Sequence, residues 1–262
     1  MNDMFSLKNK TALITGCSGG IGQGIALGLA EAGADIAAVD IASLKETKEK
    51  VEALGRSCIC YNIDLSDTKA LKQLFTKILQ DLKAIDILVN NAGMQYRKTA
   101  FEYPEDVFDK VITVNLKAGY VLSQLSARHF CERADRTSVV SKRGSIGKII
   151  NMASLFSRFG GIEVSGYTCS KHGVLGMTRA LSNEFAPYGI NVNAIAPGYI
   201  QTDLTKAIWS DKERRKPMDA RIPAGRWGIA DDFKGAAVFL ASEASDYITG
   251  IVLPVDGGYS NR

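Results

Sequence analysis

Seven short apolar runs recur along the chain, separated by stretches of helical period: "TALIT" (11–15), "DIAAVD" (35–40), "CICYNID" (58–64), "DILVNNAG" (86–93), "KIINMAS" (148–154), "INVNAIAPG" (190–198) and "GIVLPVDGG" (250–258). The runs are rich in Val, Ile and Ala, and most end in Gly, Asn, Asp or Ser. Helical periodicity fills 20–32, 66–82, 104–130, 167–186 and 230–242. Strands that are apolar throughout are buried on both faces, and parallel strands need crossovers long enough to hold a helix. This alternation predicts a seven-stranded parallel sheet with helices on both faces. With no linker in 262 residues, it predicts one doubly wound α/β domain spanning 1–262. Ligands of such a sheet bind beyond the carboxyl ends of its strands, so the residues ending each run are the candidates for function.

Two segments interrupt the rhythm. Residues 132–147, "ERADRTSVVSKRGSIG", are polar, basic and unpatterned, and read as a surface insertion between a long helix and the next strand. Residues 199–226 contain "SDKERRKPMDARIPAGR" and follow a strand end directly. The charged run reads as a solvated face, and its position also suits a substrate loop or lid.

The net charge is +4, from 32 basic and 28 acidic residues, too mild for a nucleic-acid surface, and no basic stripe accompanies it. No stretch approaches the roughly 18 apolar residues of a membrane span, and "MNDMFSLKNK" has no apolar signal region. Five cysteines at 17, 58, 60, 131 and 169 lack framework or metal-ligand spacing, and with two histidines no metal site is expected. The expected setting is reducing and cytoplasmic.

The first strand runs into "TGCSGGIGQGIALGLAEAG", with Gly16, Gly20 and Gly22 in a G-x-x-x-G-x-G spacing. Small residues there let backbone approach a pyrophosphate, which a helix N-terminus holds by its free N–H groups and dipole. Asp40 ends the second strand, 18 residues after Gly22. A carboxylate at that place accepts both adenosine ribose hydroxyls and repels a 2′-phosphate, so NAD is expected over NADP. Helix capping is the other reading of Asp40. Asp64, ending the third run, is placed to meet the adenine, with a turn or cap as the alternative.

Tyr167 and Lys171 lie four apart and share a helix face. On their own they read first as a solvent-tipped apolar face, and second as a proton-transfer pair in which the ammonium makes the phenol more acidic. Taken with "TGCSGGIG", "NNAG" (90–93), Asn115, Ser154 and "APG" (196–198), they resemble the short-chain dehydrogenase/reductase family over essentially the whole chain. That resemblance implies a Rossmann-type fold and a catalytic Tyr167. It gives Ser154 the substrate oxygen and Tyr167 the proton. Lys171 would hold the nicotinamide ribose and keep the tyrosine acidic, while Asn115 would anchor a water linking Lys171 to solvent. Cofactor contacts are implied for Gly16, Ser18, Gly20, Ile21, Gly22, Asp40, Asp64, Leu65, Asn91, Ala92, Gly93, Tyr167 and Lys171, with Pro197, Gly198, Ile200 and Thr202 closing over the nicotinamide.

Within the family, "NVNAIAPGYIQTD" and "RIPAGRWGIADDFKGAAVFLASEASDYITGIVLPVDGGY" are similar to the 2-deoxy-D-gluconate 3-dehydrogenase and 2-dehydro-3-deoxy-D-gluconate 5-dehydrogenase group. A sugar-acid carboxylate calls for a cation, preferably bidentate Arg. Arg97 is the candidate, with Arg158 behind it. Gluconate, a neutral sugar or polyol, and an oxoacyl carrier thioester are alternative substrates for the same chemistry. A non-catalytic NAD-binding module has no need of the Ser154–Tyr167–Lys171 set. The resemblance also implies a homotetramer.

Overall fold

The computed structural model describes residues 4–134 and 144–261. Its centre is one sheet of seven parallel strands: β1 (Thr11–Thr15), β2 (Asp35–Asp40), β3 (Cys58–Asn62), β4 (Ile87–Asn90), β5 (Gly147–Met152), β6 (Ile190–Pro197) and β7 (Val252–Val255). Their order is β3-β2-β1-β4-β5-β6-β7. The chain winds outward from β1 to β3, then returns to the other side of β1. The crevice between the ends of β1 and β4 is therefore the topological switch point.

Successive strand residues face opposite sides, which divides the interior into two cores. Ala12 and Ile14, Ile36 and Ala38, Ile87 and Val89, and Ile150 and Met152 point to one. Leu13, Ala37 and Val39, Leu88 and Ile149 point to the other. Helices α1 (Gly20–Glu31) and α9 (Lys234–Ala241) cover the first through Ile25, Leu29, Ala237 and Leu240. Helices α3 (Thr68–Leu82), α5 (Ala118–Arg133) and α6 (Ser165–Phe185) cover the second through Leu71, Phe75, Leu122, Phe130 and Leu181.

The apolar runs locate every strand, but β3 to β7 stop short of the last residues read into them. Those residues, including Asp64, Asn91 to Gly93 and Ser154, form the turns where the cleft lies. Helix α2 (Lys45–Ala53) has no counterpart in the sequence reading, because "KETKEKVEA" buries only Thr47 and Val51. Its exposed face is laced by Lys45–Glu49, Lys48–Glu52 and Lys50–Glu46 pairs. The predicted helix 104–130 is instead α4 (Glu105–Ile112) and α5, joined by a π-turn at Thr113–Lys117.

The segment 199–226 is partly helical, with α7 (Lys206–Trp209) and α8 (Lys212–Asp219). Ile208 and Ile222 pack with Leu155, Trp227 and Tyr259 in a small core of their own, while the charges of α8 stay outside. Of the predicted insertion 132–147, residues 135–143 lie outside the described residues. Its neck is described: Arg133 Nη2 is 2.9 Å from Asp86 Oδ1 and donates to Ile146 O at 3.4 Å. This neck stands at the amino ends of β4 and β5, opposite the switch point.

Candidate active site

A single cleft of about 580 Å³ opens along the carboxyl edge of the sheet. One wall is the β1–α1 turn, built for close backbone approach. Gly16 has φ +68°, and a Cβ there would stand 2.6 Å from Ala92 Cα. A Cβ on Gly22 would meet Gly16 O at 2.1 Å, so any other residue would break the turn. The N-cap Gly19 provides no side-chain cap for α1, leaving the first-turn N–H groups available to an anion.

The seam between β1 and β4 is stitched by side chains. Thr15 Oγ1 accepts from Asn91 N and Ala92 N, both at 3.1 Å, and Asn91 Nδ2 donates to Thr15 O at 3.0 Å and Gly16 O at 2.6 Å. Asn91 thus shapes the glycine turn as well as lining the cleft. Thr15 was missed in the sequence, although it ends a strand.

At the end of β2, Asp40 Oδ2 accepts from Ser18 N and Oδ1 from Ala42 N, each at 2.9 Å. Each oxygen keeps a lone pair free, so the carboxylate is oriented without being saturated. Asp64 is held below the usual carboxylate range, first by the Ser66 N–H. Its Oδ2 lies 3.7 Å from Lys110 Nζ. Ile41, Ile63, Leu65 and Val114 supply apolar wall near these carboxylates. An uncapped helix start, a glycine cradle, a carboxylate and a long apolar wall fit a dinucleotide. Ser18, Gly20, Ile21, Gly93, Pro197, Gly198, Ile200 and Thr202 all line the same space.

At the other end the strand β5 and helix α6 bring the proton-transfer residues together. Ser154 begins a 3₁₀ turn, with Oγ accepting from Phe156 N at 3.2 Å and its own N–H donating to Ser157 Oγ at 3.1 Å. Lys171 is 4% exposed and donates from Nζ to Met152 O at 2.7 Å. Burial lowers its pKa to about 8. The ammonium stands 5.6 Å from the Tyr167 ring centroid.

Burial shifts Tyr167 and Lys171 in opposite directions. Burial pushes the phenol up, and a hydrogen bond with Ser154 pulls it partly back. The lysine spends its nearest hydrogen bond on a backbone carbonyl. Asn115 is buried beside them, among side chains and backbone of three segments. Its side chain holds both polar groups of Met94, accepting from N at 2.8 Å and donating to O at 2.9 Å, and donates to Ser170 Oγ at 3.0 Å. The π-turn sets Asn115 in this position.

Arg97 lines the cleft, whereas Arg158 is exposed and is not among the lining residues. Arg97 is exposed as well, so its place in the cleft is what separates the two candidate cations. Gln95, Phe156 and Tyr199 also line this end and were not singled out in the sequence. Tyr199 packs against Trp227 and Tyr259 at ring-centroid distances of 5.1 and 5.2 Å. Among the described residues, no group of His, Cys, Asp or Glu could hold a metal ion.

Residues 16–260 match the family model described as enoyl-(acyl carrier protein) reductase. The chain belongs to the short-chain dehydrogenase/reductase family. It is an oxidoreductase of CH–OH groups that works with a nicotinamide dinucleotide. A 2-dehydro-3-deoxy-D-gluconate 5-dehydrogenase from Dickeya dadantii is 49% identical, with 98% of each chain covered. A solved structure from Agrobacterium tumefaciens with bound NADP is 45% identical, with a TM-score of 0.90, covering 99% of this chain and 100% of the other. A gluconate 5-dehydrogenase from Burkholderia cenocepacia, solved with NADP and tartrate, is 36% identical with a TM-score of 0.90, covering 99% and 98%. No helix among the described residues is long and apolar enough to cross a membrane.

Proposed function

We propose that this short-chain dehydrogenase/reductase interconverts a secondary alcohol and ketone of a sugar acid of the 2-dehydro-3-deoxy-D-gluconate or 2-deoxy-D-gluconate type, with NAD as cofactor. The observation carrying the reading is one cleft with a nucleotide cradle at one end and Ser154, Tyr167 and Arg97 at the other. The near-full-length relative of that activity supports the substrate class.

Tyr167 exchanges the substrate's hydroxyl proton, and Ser154 hydrogen-bonds the same oxygen as charge develops on it. The nicotinamide, when bound, supplies or accepts the hydride. Lys171 holds the nicotinamide ribose, and its residual positive charge favours the phenolate once Tyr167 titrates. Asn115 fixes the wall beside them through Met94. Arg97 takes the carboxylate as a bidentate pair. In the oxidative direction, Tyr167 must be deprotonated, so rate rises with pH; in reduction it must carry its proton, and rate falls.

Preference for NAD rests on Asp40, whose charge opposes a 2′-phosphate. The NADP in three similar structures makes this the sharpest test of the reading. Gluconate is the second substrate reading, favoured by the Burkholderia relative. The five cysteines are free thiols, which suits a reducing cytoplasm. Exposed Tyr120, Tyr247 and Ile251 suit burial between subunits of a homotetramer, to be checked by sedimentation.

The deciding experiment follows nicotinamide absorbance with purified protein, NAD+ or NADP+, and 2-deoxy-D-gluconate, alongside NADH-driven reduction of a 2,5-diketo-3-deoxy acid. Turnover with NAD+ that Tyr167→Phe abolishes is expected. Tight cofactor binding without turnover of any sugar acid would overturn the substrate class, and a preference for NADP+ would overturn the reading of Asp40.

A further inference from the structure

Gln95 combines three features that the chemistry above leaves unused. It lines the cleft that holds Ser154, Tyr167 and Arg97. Its Nε2 is sealed from solvent and has no hydrogen-bond partner. Its backbone leaves from Met94, whose N–H and C=O are both held by Asn115. A buried amide donor without a partner is costly, and natural proteins retain few of them. Here the preceding peptide is locked, which fixes the Gln95 backbone at the cleft, and the amide meets a bound molecule by rotation about its own side-chain bonds.

Other buried polar atoms without partners, such as Tyr103 Oη and Thr168 Oγ1, belong to residues that do not line the cleft. Gln95 is therefore singled out by position as well as by its unmet bond. A carboxamide presents a donor and an acceptor on one planar group. A hydroxyl next to the reacting carbon of a polyhydroxy acid needs that complement. Turning the terminal amide about its last bond exchanges the two atoms without moving the stem.

We propose that Gln95 determines substrate specificity by hydrogen-bonding a hydroxyl adjacent to the carbon that exchanges hydride, while Arg97 takes the carboxylate. This rests on the sugar-acid reading of the cleft. It assigns the reactive end of the substrate a second point of attachment. Carboxylate, Ser154–Tyr167 and Gln95 together would fix which carbon of a polyol chain faces the nicotinamide.

The test compares Gln95→Leu and Gln95→Glu with wild type for oxidation of 2-deoxy-D-gluconate and D-gluconate by NAD+. NADH affinity by fluorescence and thermal unfolding are measured in parallel. For Gln95→Leu, kcat/KM on the sugar acid is expected to fall by about 10- to 100-fold, with NADH affinity within twofold and unfolding temperature unchanged or raised. Gln95→Glu keeps an acceptor and loses the donor, so it should fall at least as far. Wild-type turnover with both variants within twofold would overturn this proposal alone. A parallel loss of NADH affinity or stability would overturn it in favour of a structural role. Absence of wild-type turnover on either acid would overturn the substrate reading and this proposal together.

Discussion

Lys171 illustrates a conflict between stability and use at a single residue. Folding takes its ammonium out of water and gives it one carbonyl, so its folded pKa of about 8 lies below the ordinary 10.5. The unfolded chain binds the extra proton between those values, so this residue's contribution to stability rises as pH rises through that window. Below about pH 8 the buried charge costs on the order of 3 kcal/mol. Lys171→Met should therefore raise stability at pH 7 by about 1–3 kcal/mol and flatten the stability slope between pH 8 and 10. Urea unfolding at several pH values checks this, with turnover expected to be lost. Tyr167 gives the complementary case. Tyr167→Phe removes only the phenol oxygen, so kcat should drop by about 10³-fold or more while NADH affinity stays within threefold. A residual rate within tenfold of wild type would remove Tyr167 from the proton path.

At the scale of elements, the π-turn at Thr113–Lys117 is what puts Asn115 against Met94. Asn115→Ala breaks three hydrogen bonds in a 6% exposed position, and should cost about 2–4 kcal/mol by denaturant titration. Asn115→Asp keeps the acceptor for Met94 N and should cost less than Asn115→Ala. The 199–226 segment is anchored differently, through Trp227 Nε1 donating to Asp219 Oδ1 at 2.7 Å. Trp227→Phe leaves the ring in the small core but frees α8, so KM should rise about three- to tenfold with kcat little changed. Steady-state kinetics on the sugar acid separates the two parameters.

The sequence was most readable where burial enforced a period. β1 and β2 fall on Thr11–Thr15 and Asp35–Asp40, as the apolar runs predict, because both faces of those strands are covered. α2 was illegible because it buries almost nothing, and its stability comes from charged pairs that any solvated segment could carry. Cleft-lining residues at strand ends were legible from topology alone. Thr15 was overlooked because a threonine ending a β-branched run looks like one more strand residue. The roles of Lys171 and Asn115 needed coordinates, since neither the Met152 carbonyl nor the Met94 peptide is local to them in sequence.

For the whole molecule, the parallel sheet separates two poles. Strands β1 to β6 end at the cleft, and the neck formed by Arg133, Asp86 and Ile146 stands at the opposite ends of β4 and β5. β5 is six residues long, or about 20 Å. Replacing 135–143 with a short Gly-Ser bridge should therefore leave kcat and KM within about twofold, since the residues on either side are already joined through Arg133 and Ile146. A larger change in stopped-flow or steady-state rates would tie that segment to the cleft.

The closed neck makes that pole a natural point of attachment. A single reactive group introduced at 135–143 and coupled to a solid support would set each molecule with its cleft turned toward the liquid. Substrate would then reach an immobilised layer as readily as it reaches the free enzyme, and an electrode or sensor surface could be loaded without choosing among random orientations.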